Sequence, residues 1–208
     1  VVRANVIPGA DADYYSFLGQ AGDRVYAATM TGFSSGNTDS TLELLHTDGT
    51  TPIQTDTNDG TLAAAASSIT GAVLPTSGTF YLRVTGAGEI RPYDLHFRLR
   101  SGSPLAQTEP NNTTPQPLPP SGWVSGVLIS SADPDRFSTT LNAGDTLFAS
   151  LDLDPERDGI EADAALEFGG IPNVLTLSDA LEAGPDSVAG FMTVRAAGTY
   201  TVSVSPFS

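Results

Sequence analysis

From Tyr93 to Leu99 the chain reads YDLHFRL, with apolar and polar side chains in strict alternation. A period of two puts alternate residues on opposite faces, so this run predicts an antiparallel strand with one face buried. Runs at 14–18, 25–30, 42–45 and 79–84 are as short and as rich in aromatic and branched residues, and they predict further strands. AGD, TDG, NDG and SGT segments separate them as turns, where Gly supplies a positive φ and Asp or Asn bonds its own backbone. Helical periodicity is scarce. The Ala-rich stretch 62–69 predicts at most one helical turn, and its match later in the chain, DSVAGFMTV at 186–194, reads as extended.

The pattern is written twice. Asp11-Ala-Asp13 returns 122 residues later as Asp133-Pro-Asp135, and Ala21-Gly22-Asp23 returns at the same spacing as Ala143-Gly144-Asp145. Leu42-Glu43-Leu44 matches Leu166-Glu167-Phe168 at a spacing of 124, and Gly78-Thr79-Phe80 matches Gly198-Thr199-Tyr200 at 120. The spacing drifts only in loops, as it does when a whole domain is duplicated. About eight short strands per copy imply a two-sheet sandwich. The fold class is therefore all-β: two tandem antiparallel β-sandwiches, 1–102 and 103–208. Between them SGSPLAQTEPNNTTPQPLPPSG (101–122) holds six prolines and reads as a semi-rigid Pro-rich linker. A second reading makes TEPNNT an arm that opens the second domain and folds across its sandwich.

Charge narrows the partners. The net charge is −15, with nine basic residues, all Arg. Nucleic acid needs a basic footprint, and so does an anionic membrane surface; neither is expected as a partner. An acidic surface favours divalent cations instead. The absence of Cys removes disulfides, thiolate zinc sites and cysteine nucleophiles. No apolar run reaches transmembrane length, the nearest being 62–74, broken by Ser and Thr. The opening VVRANV has neither Met nor a signal-peptide pattern and reads as a mature form or an excerpt.

The order Glu109-Pro-Asn111-Asn112-Thr113, Gly126-Val-Leu128, Asp133-Pro-Asp135-Arg-Phe137, Ala143-Gly144-Asp145, Asp163-Ala-Ala-Leu166-Glu-Phe168 and Ala197-Gly198-Thr199-Tyr200-Thr-Val202 resembles the bacterial pre-peptidase C-terminal (PPC) domain. The first copy supplies the same series from Asp11 onward. The resemblance implies jelly-roll-like sandwiches with no catalytic role, appended to secreted peptidases and surface proteins. It also implies calcium held between an N-terminal arm and the D-x-D region, as in collagen-binding relatives. The expected calcium ligands are Glu109, Asn111, Asn112, Asp133 and Asp135, with Asp11 and Asp13 as a weaker, armless counterpart. All seven offer hard oxygen donors, of which calcium takes six to eight. The plainer alternative is that the aspartates shape turns and EPNNT is solvated.

Other motifs carry less. DLDPERDGIEAD (152–163) imitates the start of an EF-hand, but Ala165 stands where a bidentate Glu is needed. Gly32-Phe-Ser34-Ser-Gly36 fits a nucleophile elbow without its strand–turn–helix context, with His46 and His96 as the available bases. Duplicated acid pairs fit duplicated structure better than a glycosidase cleft. Asn111 and Asn112 begin overlapping glycosylation sequons. Trp123, Phe33 and Tyr93 are candidate exposed aromatics, against the plainer reading of core packing.

Copy one lacks an E-x-N-N arm, and copy two lacks a match to IRPYDLHFRLR at 90–100. The expectation is a non-enzymatic extracellular or cell-surface module for adhesion, targeting or spacing, whose partner is an extracellular protein or polysaccharide. The alternative is a self-assembling filament or surface-layer subunit, its partners copies of itself, joined by strand exchange across the unmatched ends.

Overall fold

The computed structural model describes residues 1–57, 66–130, 132–157, 164–170, 175–178 and 187–206, with the backbone alone at 175–178 and 187–189. Among these residues there is no helix, and the chain divides into two compact units, Val1–Gly102 and Ser103–Ser208.

The first unit contains β1 (Val2–Val6), β2 (Asp13–Gly19), β3 (Arg24–Met30), β4 (Ser40–Leu45), β5 (Pro52–Asp56), β6 (Ser68–Val73), β7 (Gly78–Gly86) and β8 (Ile90–Arg100). They form two antiparallel sheets, ordered β1-β8-β3-β6 and β2-β7-β4-β5. Apart from the hairpin β4–β5, whose strands share one sheet, consecutive strands alternate between sheets in the interleaved order of a jelly roll. The core lies between the layers: Val25, Ala27, Ile69, Tyr93 and Leu95 from one, Leu42, Leu44, Phe80, Leu82 and Val84 from the other. The alternation read along 93–99 thus puts Tyr93 and Leu95 inside, with Phe97 and Leu99 packed against the core margin. Tyr93 is fully buried, so it is a core residue and not an exposed binding aromatic. Of the Ala-rich stretch, 62–65 lies outside the described residues, and Ser68 begins β6.

The second unit contains β9 (Leu105–Ala106), β10 (Gln116–Pro117), β11 (Val124–Ser125), β12 (Asp135–Leu141), β13 (Thr146–Asp152), β14 (Ala164–Gly169), β15 (Leu175–Ser178), β16 (Ser187–Thr193) and β17 (Gly198–Pro206). Its antiparallel pairs β12–β17, β14–β17, β14–β15 and β13–β16 repeat β2–β7, β4–β7, β4–β5 and β3–β6. Leu153, Ala164, Leu166, Phe168 and Val202 form its core, against which Leu147, Ala149 and Leu151 of β13 pack.

The AGD turns explain why carboxylates stay in step between copies. Asp23 accepts the Gln20 N–H through Oδ2 at 2.8 Å, and Asp145 accepts the Asn142 N–H at 2.7 Å. Gly22 and Gly144 both sit at positive φ (87° and 92°), which glycine adopts without a Cβ penalty. Each turn also exchanges backbone bonds with the strand end opposite, at Leu74 and Val194. These acids are structural.

The proline-rich stretch is not a free connector. From Ser103 onward it belongs to the second unit, with β9 parallel to β11 and β10 parallel to β12. Proline cannot donate to a ladder and is tolerated on edges, which suits Pro117 in the two-residue edge strand β10. The two short parallel pairs are the departure from an all-antiparallel expectation.

Candidate metal centre

The arm brings its acid to the D-x-D turn through a chain of hydrogen bonds. Gln107 Oε1 accepts the Val127 N–H at 3.1 Å, while its Nε2 donates to the Val127 carbonyl at 3.2 Å and to Glu109 Oε1 at 2.6 Å. Gln116 Oε1 accepts the Thr108 N–H at 2.7 Å, and Glu109 Oε2 accepts the Asn111 N–H at 3.0 Å. A Cβ at Gly126 would meet Gln107 Oε1 at 1.9 Å and Asp135 Oδ2 at 2.7 Å, so glycine is what lets arm and turn approach. Neither Gln107 nor Gly126 stood out as a ligand in the sequence, because their role is to position others.

Glu109, Asp133 and Asp135 place carboxylate oxygens within 4.8 Å of one another, the only such trio among the described residues. Glu109 is exposed, whereas Asp133 and Asp135 are buried. Asp133 is held on both oxygens, by Asn112 Nδ2 at 2.8 Å and the Ile129 N–H at 3.0 Å. Asp135 differs: its Oδ1 is buried with no hydrogen-bond partner, as is Asn111 Nδ2. Burial, then the negative charges of Glu109 and Asp133, push its pKa up to about 6.

Such a cluster is costly while ionised and uncompensated, and a divalent cation relieves it. The donors are all hard oxygens of calcium or magnesium type. Asn111 is almost fully buried, its Oδ1 accepting a long 3.4 Å bond from the Arg136 N–H. Asn112 enters as a donor that orients Asp133.

The first copy resolves the same position differently. Asp13 Oδ2 accepts the hydroxyl of buried Tyr93 at 2.6 Å, and Tyr93 shares a 2.6 Å bond with Tyr15. Burial, with the Asp13 and Tyr15 contacts, raises the Tyr93 pKa. Asp11 Oδ1 accepts the neighbouring Ala12 N–H at 2.9 Å. Neither Asp11 nor Asp13 belongs to an acidic trio among the described residues.

In the 152–163 loop, Arg157 holds Asp152 with two bonds, 2.7 and 2.9 Å, and also bonds the Asp154 carbonyl. Asp158 and Asp163 lie outside the described residues. Ser34 Oγ accepts the N–H groups of Gly36 (3.1 Å) and Arg91 (2.8 Å), which makes it a brace between its loop and β8. His46 sits at the β4–β5 turn, and His96 is half-buried on β8 opposite Ala28. Phe33 is exposed beneath the Arg3 guanidinium, 5.1 Å from the ring centre, and Trp123 is half-buried. No protein-family model matches this chain, and no curated protein sequence matches it.

Proposed function

We propose that the chain is a non-catalytic module of a secreted or cell-surface protein: two PPC-like sandwiches that adhere to, target or space against an extracellular protein or polysaccharide. Calcium at Glu109, Asp133 and Asp135 ties the arm of the second unit to its D-x-D turn. One observation carries the metal reading: Asp135 Oδ1 is buried without a partner beside two further carboxylates. Its duplicate Asp13 shows what a protein-only solution looks like, a tyrosine hydroxyl at 2.6 Å. The cation supplies the positive charge that the arm and turn together lack. Arm, turn and β12 then behave as one rigid piece.

Melting curves with calcium and with chelator test this. A ligand that binds only the folded state adds RT ln(1 + [L]/Kd), about 2.7 kcal/mol at a hundredfold excess over Kd. The expected result is a higher melting temperature for the second unit in calcium; identical curves overturn the metal reading. Retention on insoluble collagen, chitin or cell-wall polymer, reduced by Phe33→Ala or Trp123→Ala, tests adhesion separately.

A further inference from the structure

The two copies differ on the outer face of one sheet. In the first unit β2 and β7 pair so that Tyr14 lies opposite Arg83, Ser16 opposite Tyr81 and Leu18 opposite Thr79. The alternate residues of β7, Phe80, Leu82 and Val84, belong to the core, so these six positions stand on the outer face. Tyr14 is 51% exposed, Leu18 is 77% exposed and Tyr81 is half-buried. The Tyr81 ring lies along the β4–β5 turn, where a Cβ on Gly49 would touch it at 3.5 Å. The Tyr14 hydroxyl accepts a 3.4 Å bond from Arg83 Nη1, and Arg83 also pairs with Glu43 on β4.

The second unit builds the same strand pair without these side chains. Its register puts Arg136 and Ser203 where Tyr14 and Arg83 stand, and Ser138 and Thr201 where Ser16 and Tyr81 stand. Thr140 and Thr199 take the places of Leu18 and Thr79. Small hydroxyl residues therefore suffice for the strands, and the fold does not call for Tyr14, Leu18 or Tyr81 at outward positions. A single exposed apolar residue needs no explanation, whereas three grouped on one face mark a contact surface.

From this difference we propose that the outer face of β2 and β7 in the first unit is a binding platform for a neutral polysaccharide. The inference deepens the adhesion reading and rests on it, and it is independent of the metal. Tyr14 and Tyr81 are diagonal neighbours across the ladder, roughly 7–8 Å apart in ordinary sheet geometry, so one extended chain meets both rings. Tyrosine offers an apolar ring with a polar tip. That suits a sugar, whose C–H faces stack while its hydroxyls bond, and Ser16 and Thr79 add hydroxyls beside the rings. Rings alternating with hydroxyls, without a continuous apolar surface, favour sugar over a protein segment. Charge selects the neutral class. The chain carries −15 overall, which repels sulfated or uronic polymers, and Arg83 is already neutralised by Glu43. The same pair occupies Glu43, so a cationic polymer gains little at these positions.

The test measures retention of the whole chain on cellulose, chitin, starch and agarose, with collagen and alginate alongside. Saturable retention on at least one of the four neutral polysaccharides is expected, unchanged by chelator. Tyr81→Thr installs the residue type that the second unit folds with, and together with Tyr14→Ala it should weaken retention at least about tenfold. Tyr14→Phe with Tyr81→Phe keeps the stacking rings and should stay within about threefold of the unsubstituted chain. A second measurement needs no variant. A soluble oligosaccharide of the retaining polymer should shift the amide resonances of 14–18 and 79–83 and leave those of 136–140 and 199–203 unmoved. Retention that depends on Phe33 or Trp123 and not on Tyr14 and Tyr81 overturns the proposal while the adhesion reading stands. Retention on collagen or alginate alone also overturns it, and retention on none of the six polymers overturns both.

Discussion

At the scale of single residues, Asp13 and Asp135 occupy equivalent strand positions, opposite Val84 and Val204, and differ in chemistry. Tyr93 satisfies one; burial and two like charges strain the other. Asp135→Asn removes a buried charge while keeping the shape. In chelator at neutral pH it should leave the second unit as stable or more stable, and in calcium it should abolish the rise in melting temperature. The pH dependence has a definite sign. Folded Asp135 titrates at about 6, above the ordinary unfolded value of about 3.9, so between these values the metal-free fold holds more protons than the unfolded chain. Stability in chelator therefore rises as pH falls from 7 to 4, by on the order of 2 kcal/mol from this group. Calcium affinity falls over the same window, because protonation removes a ligand. Chelator melts at pH 7 and pH 5 check the first sign and calcium titrations at both pH values the second. The carboxylate triad was legible by residue type and order; which oxygen lacks a partner was not, since that depends on burial and on Tyr93 arriving from β8.

At the scale of elements, Gly126 joins the arm to the sandwich. Its absent Cβ leaves room for Gln107 and Asp135, and Gln107 in turn orients Glu109. Gly126→Ala should push Gln107 aside and shrink the calcium-dependent shift, while Gly102→Ala, where a Cβ would meet nothing within 4 Å, should leave that shift intact. Paired melts of the two variants in calcium and chelator decide it. Strands and turns were largely readable in advance: alternation at 93–99 located the middle of β8 (Ile90–Arg100), and both AGD triplets form the same capped turn. The arm was not readable as a parallel edge. Proline marks where a ladder bond is missing, but it does not choose between a linker and an edge strand.

Across the whole chain, the duplicated units differ in how far β3 and β13 are covered. Val25, Ala27 and Thr29 are sealed, while Leu147, Ala149 and Leu151 keep water contact. Burial of apolar surface is the main stabilising term, at about 25 cal/mol per Å². The second unit also carries most of the net charge, which opposes compaction. Calorimetry should accordingly resolve two transitions, the lower from Ser103–Ser208, with calcium moving only that one. A single transition, or calcium acting on the upper one, would contradict this.

Periodicity and repetition along the chain were enough to determine an all-β protein and a copied pattern of turns, because alternation and turn chemistry are local properties of the backbone. They also marked the acids worth watching. Two matters were settled only by tertiary packing: that the proline stretch from Ser103 onward belongs to the second unit, and that Tyr93 satisfies Asp13 while Asp135 Oδ1 has no hydrogen-bond partner. Each depends on which distant segment comes to lie alongside, and no local pattern carries that information.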